Sequence, residues 1–208
     1  MKRRDFLRFG ASKAAEVVVE VAGIKHQDVD VSWIRPPFAL AEPAFLQACT
    51  RCDLCIDACP HDVIFKLGSH VGIMAQGTPA LDLTSRGCHL CTDWPCVTVC
   101  EPSALTLSVT SDSTDLSDPE DDAPPDLAKL AIVTINEATC LPYSGPECGA
   151  CAGSCPVPDA LSWDGGTKPV IDQELCVGCA MCREACIIDP KAINLALVTP
   201  KTPAAESS

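Results

Sequence analysis

Sixteen cysteines in a chain of 208 residues constrain this fold more than any other feature. They fall into four ordered groups of four. The first is Cys49-x2-Cys52-x2-Cys55-x3-Cys59, followed at once by Pro60. The second is Cys88-x2-Cys91-x4-Cys96-x3-Cys100, with Pro102 two residues on. The third is Cys140-x7-Cys148-x2-Cys151-x3-Cys155, followed by Pro156. The fourth is Cys176-x2-Cys179-x2-Cys182-x3-Cys186, with Pro190 later. Every group ends in C-x3-C, so one unit is repeated, with a longer gap in the second and third copies.

The spacing has a physical reason. Three cysteines two residues apart lie on a loop that can curl around successive corners of one anionic cube. Backbone N–H groups of such a loop point at the sulfurs and stabilise their charge. The fourth cysteine is expected to begin a short helix, and its proline neighbour turns the chain away. Groups one and four keep the spacing of bacterial [4Fe–4S] sites, in which the fourth cysteine ligates the neighbouring cluster. Groups working in pairs would therefore make four clusters. In a tandem pairing, Cys49, Cys52, Cys55 and Cys100 form one set, and Cys88, Cys91, Cys96 and Cys59 the next. Likewise Cys140, Cys148, Cys151 and Cys186 form a set, and Cys176, Cys179, Cys182 and Cys155 the last. A nested pairing, one with four and two with three, uses the same ligands. Against it, group one runs through a strand-like stretch directly toward group two.

Other uses of cysteine fit less well. Eight disulfides would need partners that neighbours this close cannot supply comfortably. Four-cysteine zinc sites draw two C-x2-C knuckles separated by a longer loop, whereas here the knuckles run together and end in C-x3-C. His61 and His89 could ligate iron, but the cysteines already account for four clusters, so both read as loop residues. Trp94-Pro95 is expected to pack over the second group's cluster, and Trp163 to join the core of the second half. No Ser–His–Asp set, Gly-rich nucleotide loop or convincing carboxylate pair is present, so no catalytic site is expected.

Composition narrows the rest. Five Phe, three Trp and one Tyr leave limited apolar material for a core, so the cysteines should organise the fold. A net charge of -13 argues against nucleic acid as a partner. Seven acidic residues and three prolines between Asp112 and Asp126 read as a solvated linker. Short β-prone segments flank the cysteine groups: 131–135 before group three, 169–171 before group four, and 63–65, 105–107 and 192–195 after groups one, two and four. Gly165-Gly166 reads as a hairpin turn. No run approaches the roughly 18 apolar residues that span a bilayer.

The N-terminus carries conflicting signals. Lys2-Arg3-Arg4-Asp5-Phe6-Leu7-Arg8 has the form of a twin-arginine export motif. The apolar stretch that should follow is broken by Lys13, Glu16 and Glu20. Ala39-Leu40-Ala41 could pass for a cleavage site, though far from the arginines. A cytoplasmic protein is expected, with export of the folded protein to the periplasm as the alternative.

These motifs resemble the ferredoxin-type proteins of the NapG/NapF/MauM group. The resemblance rests on Arg3-Arg4-Asp5-Phe6-Leu7-Arg8, on Ile34-Arg35-Pro36-Pro37 leading to Cys49-Thr50-Arg51-Cys52-Asp53-Leu54-Cys55, and on Cys88-His89-Leu90-Cys91 with Trp94-Pro95-Cys96. Cys140-Leu141-Pro142-Tyr143, Cys148-Gly149-Ala150-Cys151 and Cys176-Val177-Gly178-Cys179 extend it over roughly residues 33–198. It implies four [4Fe–4S] clusters and an electron-transfer role beside a molybdenum-dependent reductase or a membrane quinol-oxidising subunit. A maturation factor for such a partner is the alternative it leaves. NapG-like members carry an apolar signal segment where the stretch in this chain is charged, and the acidic stretch resembles an insertion.

The expected architecture is an α+β, loop-rich chain of two tandem two-cluster ferredoxin-like halves. Its parts are a twin-arginine-like segment at 1–32, a half with groups one and two at 33–110, an acidic linker at 111–127, a half with groups three and four at 128–198, and a tail at 199–208.

Overall fold

The computed structural model describes residues 33–107 and 127–198. The N-terminal segment, the tail and nearly all of the acidic linker lie outside the described residues. The described parts belong to one compact unit. Elements are short, as expected where cysteine loops occupy so much of the chain. They are α1 (Glu42–Ala48), α2 (Leu54–Asp57), β1 (Ile64–Lys66), β2 (Pro79–Leu81), α3 (Pro95–Thr98), β3 (Ile132–Ile135), α4 (Leu141–Ser144), β4 (Leu161–Asp164), β5 (Lys168–Ile171), α5 (Met181–Ala185) and β6 (Ile193–Ala196).

The two parts follow one plan. In residues 127–198 the first strand pairs with the last, β3 antiparallel to β6, with Val133 opposite Leu195. Inside them sits a hairpin of β4 and β5, turned by Gly165 and Gly166, both at positive φ. In residues 33–107 the inner hairpin is β1 with β2, Phe65 opposite Ala80. The outer pair shrinks to one bridge, Ala39 with Leu105, flanked by Leu40 N–H to Ala104 C=O at 3.0 Å and Thr106 N–H to Phe38 C=O at 2.9 Å. The strand expected at 105–107 is thus a bridge, because its partner turns at Phe38, which holds a left-handed φ of 58°. Those bonds also build residues 38–40 into the unit, so cleavage at Ala39–Ala41 would strip away part of the fold.

Thiols are core material. One buried cluster gathers Phe45, Ile64, Leu83 and Leu105 with Cys55, Cys88 and Cys96, and reaches across to Ala131, Cys179 and Ala180. A second joins Val133 and Ile193 to Cys140, Cys151, Cys182 and Cys186. Trp163 packs against this second cluster. Free cysteine is a small hydrophobe, and with few aromatics available it fills the space they would occupy.

Entry into the fold is clasped by a partly buried ion pair. The Arg35 guanidinium meets Glu42 in a two-pronged contact, Nη2 to Oε1 at 2.6 Å and Nε to Oε2 at 2.8 Å. Its other nitrogen donates to Thr78 Oγ1 at 2.9 Å and to Pro79 C=O at 2.6 Å. Its plane lies 4.4 Å from the ring centre of Phe45, the most buried aromatic. The side chains are only 10% and 15% exposed, and such fork geometry is among the stronger polar contacts. Arg35→Met leaves the partly buried Glu42 carboxylate with only the Trp33 indole N–H, 3.3 Å away, so it should destabilise the loaded protein by about 3 kcal/mol. Denaturant unfolding measures this, and Glu42→Gln, which keeps an acceptor for the guanidinium, should cost clearly less.

Candidate iron–sulfur sites

All sixteen cysteines are free thiols in the described residues, and they stand around four cavities. The first cavity is lined by Cys49, Cys52, Cys55 and Cys100. The second is lined by Cys59, Cys88, Cys91 and Cys96. Cys140, Cys148, Cys151 and Cys186 line the third, and Cys155, Cys176, Cys179 and Cys182 the fourth. Each cavity takes three cysteines from one group and the last cysteine of the adjacent group. The cavities are also alike in size, with about 340, 350, 360 and 320 Å³ of space from first to fourth when their open mouths are included. Equal size and identical donors suit one kind of group four times over.

Local structure explains the crossing. The short helices enclose the third cysteine of a group and stop just before the fourth: α2 holds Cys55 and ends at Asp57, α3 holds Cys96 and ends at Thr98, and α5 holds Cys182 and ends at Ala185. The fourth cysteine thus closes a helix, rather than beginning one as the spacing suggested. A four-residue step is about one helical turn, so the third and fourth cysteines project from successive turns into adjacent cavities. The third group has a tight turn at 151–153 instead, where Ser154 N–H bonds Cys151 C=O at 3.2 Å.

The loops curl because specific residues adopt left-handed backbone. In group one these are Arg51 and Asp53, with φ of 60° and 67°. Leu90 and Trp94 do the same in group two at 48° and 44°, and Gly178 and Ala180 in group four at 77° and 63°. Five of these six carry a Cβ, for which such φ is costly. Alternation of right- and left-handed residues forms a nest of inward N–H groups. The consequence is visible at the sulfurs. Leu90 N–H is placed to stabilise a Cys88 thiolate, and Met181 and Arg183 N–H serve Cys179 and Cys182. Leu105 N–H points at Cys100 Sγ, 3.4 Å away. Only Gly178 could have signalled this geometry in the sequence.

The thiols are chemically frustrated as they stand. Burial pushes Cys55 up to about 12, and the neighbouring Cys100, Cys49 and Cys52 push the same way. Burial also takes Cys96, Cys179 and Cys182 to about 12 and Cys88 to about 11. Four thiolates facing one cavity repel, so a cationic group between them would relieve the frustration. Among the described residues no three His, Cys, Asp or Glu side chains converge closely enough to hold a single metal ion. The donor set, the nests and the cavities fit a cage of several irons instead.

Two cavities have distinctive walls. Trp94 and Pro95 line the second, and Trp94 meets Phe38 edge-on at 4.8 Å. His61 and His89 line the same cavity and stack flat, 3.5 Å apart, a pairing that distance along the chain concealed. Burial and His61 hold His89 below its ordinary value, against the opposing pull of Glu184. At the first cavity, Arg51 donates to Met74 C=O at 2.8 Å and Gln76 C=O at 3.0 Å, tying down the loop after β1.

Comparison with known proteins agrees with this chemistry. Residues 46–65, which carry group one, match the 4Fe-4S binding domain family. Over 205 residues the chain is 31% identical to the ferredoxin-type protein NapG of Escherichia coli, covering 92% of this chain and 82% of that protein. It is 34% identical over 204 residues to the methylamine utilization ferredoxin-type protein MauM of Methylophilus methylotrophus, covering 93% and 83%. The ferredoxin-type protein NapF of Escherichia coli matches at 31% over 157 residues, 74% of this chain and 79% of that protein. The chain belongs to the NapG/MauM family of ferredoxin-type proteins. It is an iron–sulfur protein with a 4Fe–4S binding domain, in keeping with the cysteine-lined cavities. No solved structure matches the chain.

The closest backbone approach in a cysteine loop is testable. A Cβ on Gly178 would lie 2.0 Å from Ala131 C=O and 2.3 Å from Ala131 N, at a φ that disfavours any side chain. Gly178→Ala should cost about 2 kcal/mol or more. In a unit this size that lowers the thermal midpoint by roughly 4–8 °C. Gly149→Ala, with nothing within 4 Å of its Cβ, should leave the midpoint nearly unchanged.

Proposed function

We propose that this chain carries four [4Fe–4S] clusters and passes electrons singly between redox proteins, as an accessory to a molybdenum-dependent reductase or a membrane quinol-oxidising subunit. The supporting observation is the set of four similar cavities, each lined by four thiols drawn from two groups. In this reading all sixteen cysteines are ligands, and the chain is two ferredoxin-like halves, residues 33–110 and 128–198, joined by the acidic linker at 111–127. The shared strand plan of the two parts supports that division.

When bound, a [4Fe–4S] cluster gains or loses one electron while its thiolate shell stays in place. The chain's own residues do the rest. The nests lower the cost of the negative charge on the sulfurs. Trp94 and Pro95 line the second cavity and limit water there, with Phe38 packed edge-on against Trp94, and Arg51, which lines the first, ties down the loop after β1. Net charge of -13 disfavours adding electrons and so biases the clusters toward low potential. No helix among the described residues is long and apolar enough to cross a membrane, so a membrane role runs through a partner. Lys13, Glu16 and Glu20, which break the apolar stretch after the twin arginines, support a cytoplasmic location.

Iron and acid-labile sulfide analysis of anaerobically purified protein should give about sixteen irons per chain, four per cluster. Redox-monitored electron paramagnetic resonance should show those clusters titrating reversibly; clusters that stay silent would sink the carrier role. The crossed ligand sets have their own signature. Cys49→Ala with Cys100→Ala removes two ligands of one site and should cost about four irons, whereas Cys49→Ala with Cys59→Ala strikes two sites and should cost about eight.

A further inference from the structure

Resting on the reading that each cavity holds a [4Fe–4S] cluster, the geometry points to a fixed order of electron passage. The order runs first cavity, second, fourth, third, and it crosses between the two parts of the chain where the Cys88 and Cys179 loops meet. Gly87 is the positioning residue that permits this meeting.

Within each part, order follows from the shared elements. Helix α2 sends Cys55 to the first cavity, and Cys59 just past its end goes to the second; Cys96 and Cys100 do the same in reverse around α3. Cys182 in α5 lines the fourth cavity and Cys186 the third, and the turn at 151–153 separates Cys151 from Cys155 in the same way. The first and second cavities are thus neighbours, and so are the third and fourth.

The crossing is set by one junction. Cys88 N–H donates to Cys179 C=O at 2.8 Å, so ligands of the second and fourth cavities are joined backbone to backbone. Gly87 N–H donates to Glu184 Oε2 at 2.7 Å, and Arg183 Nε donates to Thr84 C=O at 2.9 Å. These bonds fasten the loop of group two to α5. A Cβ at Gly87 would lie 2.8 Å from both Cα and N of Met181, a separation that forces the loops apart. No ligand of the first or third cavity takes part in these bonds. At the two ends of the path, Cys52 of the first cavity is the one exposed cysteine among the described residues, and Ile187, next to the buried Cys186 of the third, is 71% exposed.

Each step moves one electron from a reduced site to an oxidised neighbour. No bond forms or breaks, and the external donor and acceptor are one-electron redox proteins at the two ends.

The test is frozen-solution electron paramagnetic resonance of the fully reduced full-length protein at two microwave frequencies, with iron counted on the same sample. The order predicts a chain of three successive spin–spin interactions. Two independent coupled pairs at full iron content would overturn the order and leave the cofactor reading intact; an iron content far below about sixteen would overturn the cofactor reading itself. Gly87→Val should retain the iron and weaken only the interaction between the second and fourth sites. An unchanged spectrum at full loading would remove Gly87 from its role. Should that variant lose iron, Arg183→Ala, which deletes the junction bond to Thr84 and one to Ile193 C=O without a wedge, should weaken the same middle interaction, and an unchanged spectrum at full loading would overturn the junction's role.

Discussion

The burial of cysteine thiols that face one another in fours is the constraint on which the rest of this structure depends. Eight of the sixteen cysteines are buried and only Cys52 is exposed, and burial together with their neighbours drives several of them toward about 12. In water such groups would separate. Here they are held in fours by loops whose left-handed residues aim backbone N–H groups inward, and by helices that deliver the third and fourth cysteines one turn apart. The arrangement holds these thiols un-ionised, a state that a cationic group seated between them would relieve.

The same constraint explains the sparse conventional core. Phe45, Leu83, Leu105 and Val133 are the larger fully buried apolar residues, and thiols fill much of the remaining interior. Secondary structure is correspondingly brief, since no strand or helix has a wide apolar face to cover. Stability that a larger domain would draw from packing is drawn instead from the Arg35–Glu42 clasp, from the antiparallel strand pairs and from the cysteine loops.

Much of the grouping of the thiols is legible in the sequence. Group spacing pointed to which cysteines belong together, because C-x2-C-x2-C can only curl locally and a following x3 step reaches one turn further. The strands at 132–135, 168–171 and 193–196 were legible from their β-branched residues, and the turn at Gly165-Gly166 from its glycines. The pairing of groups was open on sequence grounds, and the cavities bring together the tandem sets. Strand β2 was not legible, since Pro79-Ala80-Leu81 has no alternation and pairs only because β1 lies beside it. Nor were the left-handed Arg51, Asp53, Leu90 and Trp94, whose side chains give no hint of a strained backbone that the surrounding loop imposes.

By itself, then, the order of residues determined the fourfold repeat of thiols and the ferredoxin-type family, because thiol spacing acts over a few residues and needs no distant partner. Tertiary structure decided how the sites adjoin. The stack of His61 on His89, the clasp of Arg35 on Glu42 and Thr78, and the bond from Cys88 to Cys179 all join residues far apart in the chain. Gly87 looks like an ordinary loop glycine until Met181 is found against it. Such contacts depend on how the two parts of the chain pack, and packing is a property of the whole fold that local spacing does not encode.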